Sequence, residues 1–235
     1  MPARLHLSPN WDERAQGSAI RHVVLHYTGM PSAAAALARL CDPAAKVSAH
    51  YLIDEDGTIR LLVPETKRAW HAGRSAWAGL SGLNDWSIGI ELANPGHEWG
   101  YRPFPARQVA ALAELCGDIR ARRRLPAAAI VAHADIAPNR KEDPGELLDW
   151  PALAAQGIGI WPERSEPCPV DPLRARRLLA RIGYVLAEPG VTFVQAVTAF
   201  QRRFRPWRVD GALDPETMGR LAAVAGLLDR AGLPT

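Results

Sequence analysis

IRHVVLHY, residues 20–27, is the stretch on which the fold turns. Its β-branched and aliphatic residues sit between polar neighbours and the pair Thr28-Gly29, so it reads as a core strand with His26 at its end. Strand alternation puts His22, Val24 and His26 on one face and Val23 and Leu25 on the other. At roughly 3.3 Å per residue, His22 and His26 lie about 13 Å apart, too far to hold one ion between them.

Working outward, Ser32 caps an alanine-rich helix running through Leu40. His50–Ile53 and Thr58–Val63 flank Asp54-Glu55-Asp56-Gly57 and read as a hairpin. SIGIEL, residues 87–92, is a further strand, and Ala129–Ala132 is a short one that delivers His133. Between them, residues 105–124 have the helical period, with Val109, Leu112, Leu115, Cys116 and Ile119 on one face. Strands alternating with helices predict an α/β fold with a central mixed β-sheet flanked by helices.

Four prolines in WPERSEPCPVDP, residues 161–172, exclude a continuing helix or central strand and mark a boundary. The predicted organisation is a catalytic domain over 1–163, then a linker and small three-helix domain over 164–235. Its helices are expected at Pro172–Ile182, Thr192–Phe204 and Pro215–Leu228, the last opened by Asp214 as cap and Pro215 at its first position. Leu178, Leu179, Ile182, Phe193, Val197, Phe200, Phe204 and Leu221 would form its core, with Trp207 and Val209 in the turn between its second and third helices. A unit of roughly 65 residues is near the lower limit for a single core, so packing against the first domain would help it.

The composition, 48% hydrophobic and 23% charged over 235 residues, is that of a globular chain with a sizeable core. The net charge is only +3, and the Arg122-Arg123-Arg124 run ends a predicted helix, where cations complement the macrodipole; nucleic acid is not an expected partner. The three cysteines, Cys41, Cys116 and Cys168, lack metal-type spacing and read as buried thiols. No run of 18 apolar residues predicts a membrane span, and residues 1–10 do not resemble a signal peptide, which suggests the cytoplasm.

Among the seven histidines, His26 and His133 combine with Asp143 into a set that zinc accepts, leaving a fourth position open. No HExxH-type signature supports it, so on spacing alone it is one possibility. Glu91 is unusual in an apolar strand: it either reaches solvent or faces a polar site, where it would act as a general base. Lys141, two residues before Asp143, would project the same way in an extended loop and could stabilise an oxyanion; alone it reads as a solvated lysine.

The motifs VVLHYT (His26), SAHYLIDEDGTI (His50), AWHAGRSAW (His71), LNDWSIGIELAN (Glu91, Asn94) and AHADIAPNRKEDPG (His133, Lys141, Asp143) resemble, in family order, the type-2 N-acetylmuramoyl-L-alanine amidases. These are bacterial zinc amidases related to T7-type lysozyme and peptidoglycan recognition proteins, and the resemblance covers roughly residues 18–163. It implies a hydrolase that cleaves the amide between N-acetylmuramic acid, or its 1,6-anhydro form, and L-alanine of the stem peptide. Zn2+ would be held by His26, His133 and Asp143, with Glu91 as base, Lys141 on the oxyanion, and His71, Arg74, Asn84, Asn94 and His50 along the substrate groove. Asp143 stands where the phage lysozyme branch has cysteine, and Ala49 where it has a tyrosine; both match the bacterial amidases. The rival reading is a non-catalytic recognition module that binds wall fragments without turnover.

The tail, through RIGY (181–184), TAFQRRF (198–204) and VDGALDPETMGRL (209–221), resembles the peptidoglycan-binding type-1 domain. That implies a wall-binding role and pulls the expected location toward the periplasm, so the compartment stays open. The expected partner is peptidoglycan or a muropeptide, met by a monomer.

Overall fold

The structure, a computed structural model, describes residues 3–231. In chain order its strands are β1 (Arg4–Leu5), β2 (Trp11–Glu13), β3 (His22–Tyr27), β4 (Tyr51–Ile53), β5 (Ile59–Leu61), β6 (Lys67–Ala69), β7 (Ala76–Trp77), β8 (Leu80–Ser81), β9 (Ser87–Leu92) and β10 (Ile130–Ala132). The helices are α1 (Ala33–Cys41), α2 (Gly96–Trp99), α3 (Ala106–Arg123), α4 (His133–Ile136), α5 (Trp150–Ala155), α6 (Pro172–Ile182), α7 (Phe193–Phe204) and α8 (Pro215–Arg230).

Six strands form one mixed sheet in the order β1-β5-β4-β9-β3-β10, and β2–β6 and β7–β8 make two short antiparallel ribbons. The hairpin β4–β5 is the antiparallel pair of the main sheet; β4, β9, β3 and β10 run parallel to one another. Parallel strands need covered faces. One face, carrying Val23, Leu25, Ile88, Ile90 and Ile130, packs on Leu112, Leu115, Cys116 and Ile119 of α3 and on Trp150 and Leu153 of α5.

The opposite face is where polar residues alternate into the strands. Val24 and Val131 there join Trp77, Leu83 and Ala134 in a second cluster that also holds Leu179, Ile182, Val197, Phe200, Phe204 and Leu221 of α6–α8. The core of the three-helix tail is thus continuous with the back of the sheet, consistent with the small size of the tail alone. Its helices start on side-chain caps: Asp171 accepts from the Arg174 N–H, Thr192 from Gln195 and Asp214 from Thr217. Gly183 shows why the junction is close: a Cβ there would stand 2.5 Å from the Trp77 ring, and its φ of +130° suits glycine.

Two expectations change. Only Cys116 is buried, whereas Cys41 and Cys168 are partly exposed, because each lies at the margin of its apolar cluster rather than inside it. Arg122 and Arg123 do not simply end a helix in solvent; both bind the buried Glu65 carboxylate, at 2.9 and 2.7 Å. Among the described residues, no helix is long and apolar enough to cross a membrane.

Candidate metal centre

Parallel pairing decides which side chains meet. In the register of β3 with β9, His26 lies opposite Glu91; in that of β3 with β10, Leu25 lies opposite Ala132, so His133 follows alongside His26. Three neighbouring strands therefore carry Glu91, His26 and His133 to their carboxyl ends, the edge at which open α/β sheets place ligands. Asp143 arrives on the loop after α4, where its carbonyl accepts the Ala134 N–H at 2.9 Å.

His26 Nδ1 and His133 Nδ1 are 2.9 Å apart, and each is 3.0 Å from Asp143 Oδ2. A tetrahedral zinc shell needs donor separations of about 3.3 Å, so a few tenths of an ångström of expansion would admit the ion. All three residues are buried, and among the described residues they are the one group of histidine, cysteine and carboxylate side chains so arranged. Two neutral imidazoles and a carboxylate are the donor chemistry such a cation requires, so the residues present fit the group.

The protonation pattern suits that role. Burial lowers the His26 pKa to about 4, reinforced by the His133 charge and opposed by Asp143. Burial works to raise the Asp143 pKa, but His133 and His26 outweigh it and hold the carboxyl well below the usual range. His133 Nε2 faces the Ala72 carbonyl at 3.3 Å, which assigns the proton to Nε2 and leaves the Nδ1 lone pair toward the cluster. The outer nitrogen of His26 is bound to a second imidazole: Nε2–H donates to His71 Nδ1 at 3.0 Å, His71 Nε2–H to Ser87 Oγ at 3.3 Å, and the Ser87 hydroxyl to the Leu83 carbonyl at 2.5 Å. Every donor in this relay has an acceptor, the outer-shell arrangement that orients a ligating imidazole.

Glu91 stands apart from the relay. Its Oε2 is shut from solvent and has no hydrogen-bond partner. Burial pushes its carboxyl well above the ordinary carboxylate range, the Asp143 charge pushes the same way, and the Lys141 ammonium opposes. A buried oxygen without a partner is costly unless the site it faces is completed by another group. Glu91, Lys141, the three clustered residues and His71 all line one cleft of about 560 Å³, which is walled further by Trp70, Trp99, Arg39 and Arg140.

Of the five residues expected along the groove, only His71 lines this cleft. His50 is fully buried and takes the Gly89 N–H on Nδ1 at 3.0 Å, with Arg14 and the Lys67 carbonyl at Nε2. The Asn84 amide oxygen accepts the His71 and Ala72 N–H groups at 3.0 and 2.7 Å, holding the loop that carries His71. Asn94 accepts the Gly96 N–H and donates to the Arg102 carbonyl across the short helix α2, and Arg74 is exposed beside Pro189 and Glu188. Ser87 and Gly89 were not singled out in the sequence, although they share the Glu91 face of β9 at i−4 and i−2. Arg14, half-buried and donating to the carbonyls of Asn84, Asp85 and Ser87, carried no local signal.

A buried two-histidine, one-carboxylate cluster at the strand ends, open to a cleft and flanked by a second carboxyl, is a donor set that could hold a metal ion, as metal-dependent hydrolases do. Residues 16–146 match the Amidase_2 family of N-acetylmuramoyl-L-alanine amidases, and the chain belongs to that family. It is 41% identical to the N-acetylmuramoyl-L-alanine amidase AmiD of Escherichia coli K12 over 94% of this chain and 88% of that protein. The solved complex of AmiD with anhydro-N-acetylmuramic acid-L-Ala-D-γ-Glu-L-Lys superposes with a TM-score of 0.80 at 40% identity, covering 94% of this chain and 93% of AmiD. The structure of AmpDh3 from Pseudomonas aeruginosa also reaches 0.80, at 33% identity over 92% of this chain and 96% of its own. The 1,6-anhydro-N-acetylmuramyl-L-alanine amidase AmpD of Haemophilus influenzae is 34% identical over 61% of this chain and 85% of its own length. The chain is accordingly an N-acetylmuramoyl-L-alanine amidase, a hydrolase of peptidoglycan turnover.

Proposed function

We propose that the enzyme is a zinc amidase whose metal is held by His26, His133 and Asp143, with Glu91 as the proton-transfer group and Lys141 on the oxyanion. The observation that carries this reading is the approach of three buried donor atoms to within 2.9–3.0 Å beside the unpartnered Glu91 Oε2. Zinc held there would supply Lewis acidity, polarising the amide carbonyl and acidifying water. Glu91 takes the proton from the attacking water and returns it to the departing L-alanine nitrogen. Burial and the Asp143 charge raise its pKa, which makes it a stronger base than an ordinary carboxylate, and the Lys141 charge opposes that rise. The Lys141 ammonium also faces the charge that develops on the carbonyl oxygen. The His71 relay fixes the His26 ring, and Trp70 and Trp99 supply aromatic walls to the cleft.

We infer a preference for soluble 1,6-anhydro-muropeptides, as the complexes of AmiD and AmpDh3 contain anhydromuramic peptides. We also place the boundary between the catalytic domain, 1–163, and a wall-binding tail, 164–235, and expect a monomer. The deciding experiment compares turnover of anhydro-muropeptide and of intact sacculi by zinc-loaded, chelated and Glu91→Gln protein. Release of stem peptide by the loaded parent alone supports the reading. Equal rates after complete chelation would overturn the metal assignment. Pelleting of the Glu91→Gln protein with sacculi tests the tail, and size-exclusion mass tests the monomer.

A further inference from the structure

Two consecutive arginines of α7 leave the tail and grip the segment that carries His133 and Asp143. Arg203, only 3% exposed, donates from Nη1 to Asp135 Oδ2 at 2.5 Å and from Nη2 to the Ile130 carbonyl at 3.0 Å, with its guanidinium 4.2 Å over the Trp150 ring. Asp135 is fully buried; its Oδ1 accepts the Tyr184 hydroxyl at 2.7 Å and its Oδ2 the Ala132 N–H at 2.9 Å. Arg202 lies 3.6 Å from Glu142 and 3.4 Å from Glu146, on either side of Asp143.

The sheet topology explains why these contacts matter. β10 is an edge strand, and an edge leaves one row of backbone donors and acceptors without a strand to pair with. The Ile130 carbonyl and Ala132 N–H find partners instead in Arg203 and Asp135. His133 is the next residue, so the direction in which its ring leaves the strand is set by that anchored backbone. Arg202 reaches the loop bearing Asp143 from the other side, through ion pairs with the Glu142 and Glu146 side chains. Tyr184 belongs to the RIGY stretch and both arginines to TAFQRRF, motifs that the chemistry of the cleft leaves unused. The AmpD of H. influenzae, which aligns with only 61% of this chain, shows that the family also includes proteins matching a shorter part of it.

We propose that Tyr184, Arg202 and Arg203 are positioning residues for the metal centre, so that the tail completes the ligand geometry of the amidase rather than serving only as an appended wall-binding unit. This rests on the zinc reading above. The tail acts through Asp135 on His133 and through Glu142 and Glu146 on Asp143; none of the three residues lines the cleft.

The test uses the full chain and the variants Tyr184→Phe, Arg202→Met and Arg203→Met. Gln201→Leu serves as a control, since Gln201 is buried on the same helix and, among the described residues, its side chain bonds to Asp210, Gly211, Ala212 and Thr217, all within the tail. Zinc affinity is measured by competition with a chromogenic chelator, alongside far-UV circular dichroism, kcat and KM. Outer-shell changes typically cost about 10–100-fold in metal affinity, and these contacts lie one step further out. The expected loss is about three- to tenfold for Tyr184→Phe and Arg202→Met and about tenfold or more for Arg203→Met, with KM nearly unchanged and Gln201→Leu like the parent. If Arg203→Met does not fold, the two milder variants decide. Parental zinc affinity in both of them, or an equal loss in Gln201→Leu, would overturn the proposal while leaving the zinc reading intact. A parent chain that binds no zinc overturns both.

Discussion

Gly89→Ala should destabilise the enzyme although its backbone conformation permits alanine. Gly89 lies in β9 between Ser87 and Glu91, and a Cβ there would sit 2.4 Å from His71 Cγ and 2.6 Å from Nδ1. Ordinary contact begins near 3.4 Å, so the ring must retreat by roughly 1 Å. It is held on both sides, by His26 Nε2 at 3.0 Å and Ser87 Oγ at 3.3 Å, and cannot do so without losing one of these bonds. Stiffening the unfolded chain favours alanine by about 0.4–1 kcal/mol. Overpacking opposes it by about 1–3 kcal/mol, and a lost hydrogen bond adds about 0.5–1.5 kcal/mol. The clash wins, leaving a net destabilisation of about 2 kcal/mol. Urea unfolding of the metal-free protein measures it, and a double-mutant cycle with His71→Ala isolates the cause. With the imidazole gone, the Gly89→Ala cost should fall below about 0.5 kcal/mol. If the two substitutions instead add to within about 0.5 kcal/mol, the reasoning from ring contact is wrong.

Glu91→Gln, which keeps shape and removes the base, should lower kcat by about 10²–10⁴ with zinc content unchanged; retention of a tenth of the parental rate would reject the assignment. Lys141→Met should lower kcat by about 10²–10³ with similar zinc content, and a change confined to KM would move Lys141 from the oxyanion to substrate binding. Chelation should abolish turnover and lower the unfolding midpoint, both restored by added zinc, since an ion that binds only the folded state stabilises it. The metal-free protein should lose stability as pH falls from about 6.5 toward 4. Burial lowers His22 and His26 to about 4 and His50 to about 3, so the unfolded chain binds more protons in that window and stability rises with pH across it. Glu91, raised by burial, acts in the opposite sense and loses its contribution as pH rises through its folded value. The balance is an uptake of about two to three protons on unfolding near pH 5; unfolding curves that do not move between pH 6.5 and 5 would show that the imidazoles are not buried neutral.

What could be read from the sequence follows from how local each signal is. IRHVVLHY and SIGIEL declare themselves by composition, α3 by its apolar period, α8 by its cap at Asp214, and α6 and α7 as helical stretches after the proline-rich boundary, so these elements were legible to within a residue or two. The ribbons β2–β6 and β7–β8 were not, because two- and three-residue strands carry no period. The shared motifs drew attention to His50, His71, Asn84 and Asn94 without distinguishing a residue that meets substrate from one that holds a loop; only the hydrogen bonds make that separation. Asp135 and Arg203 lie 68 positions apart and have no local signature at all.

The site itself was legible as chemistry but not as geometry. Alternation along β3 shows that His26 shares a face with His22, and alternation along β9 that Glu91 shares one with Ser87 and Gly89. Nothing local says that β3 lies between β9 and β10. Once that order is known, parallel register brings Glu91 opposite His26 and His133 alongside it. The small residues of the same face then acquire a purpose: glycine at 89 leaves room for the His71 ring, and serine at 87 ends its hydrogen-bond relay. The alternation of apolar and small polar residues in SIGIEL is therefore a record of both faces at once, aliphatic toward α3 and shaped toward the cluster of His26, His133 and Asp143.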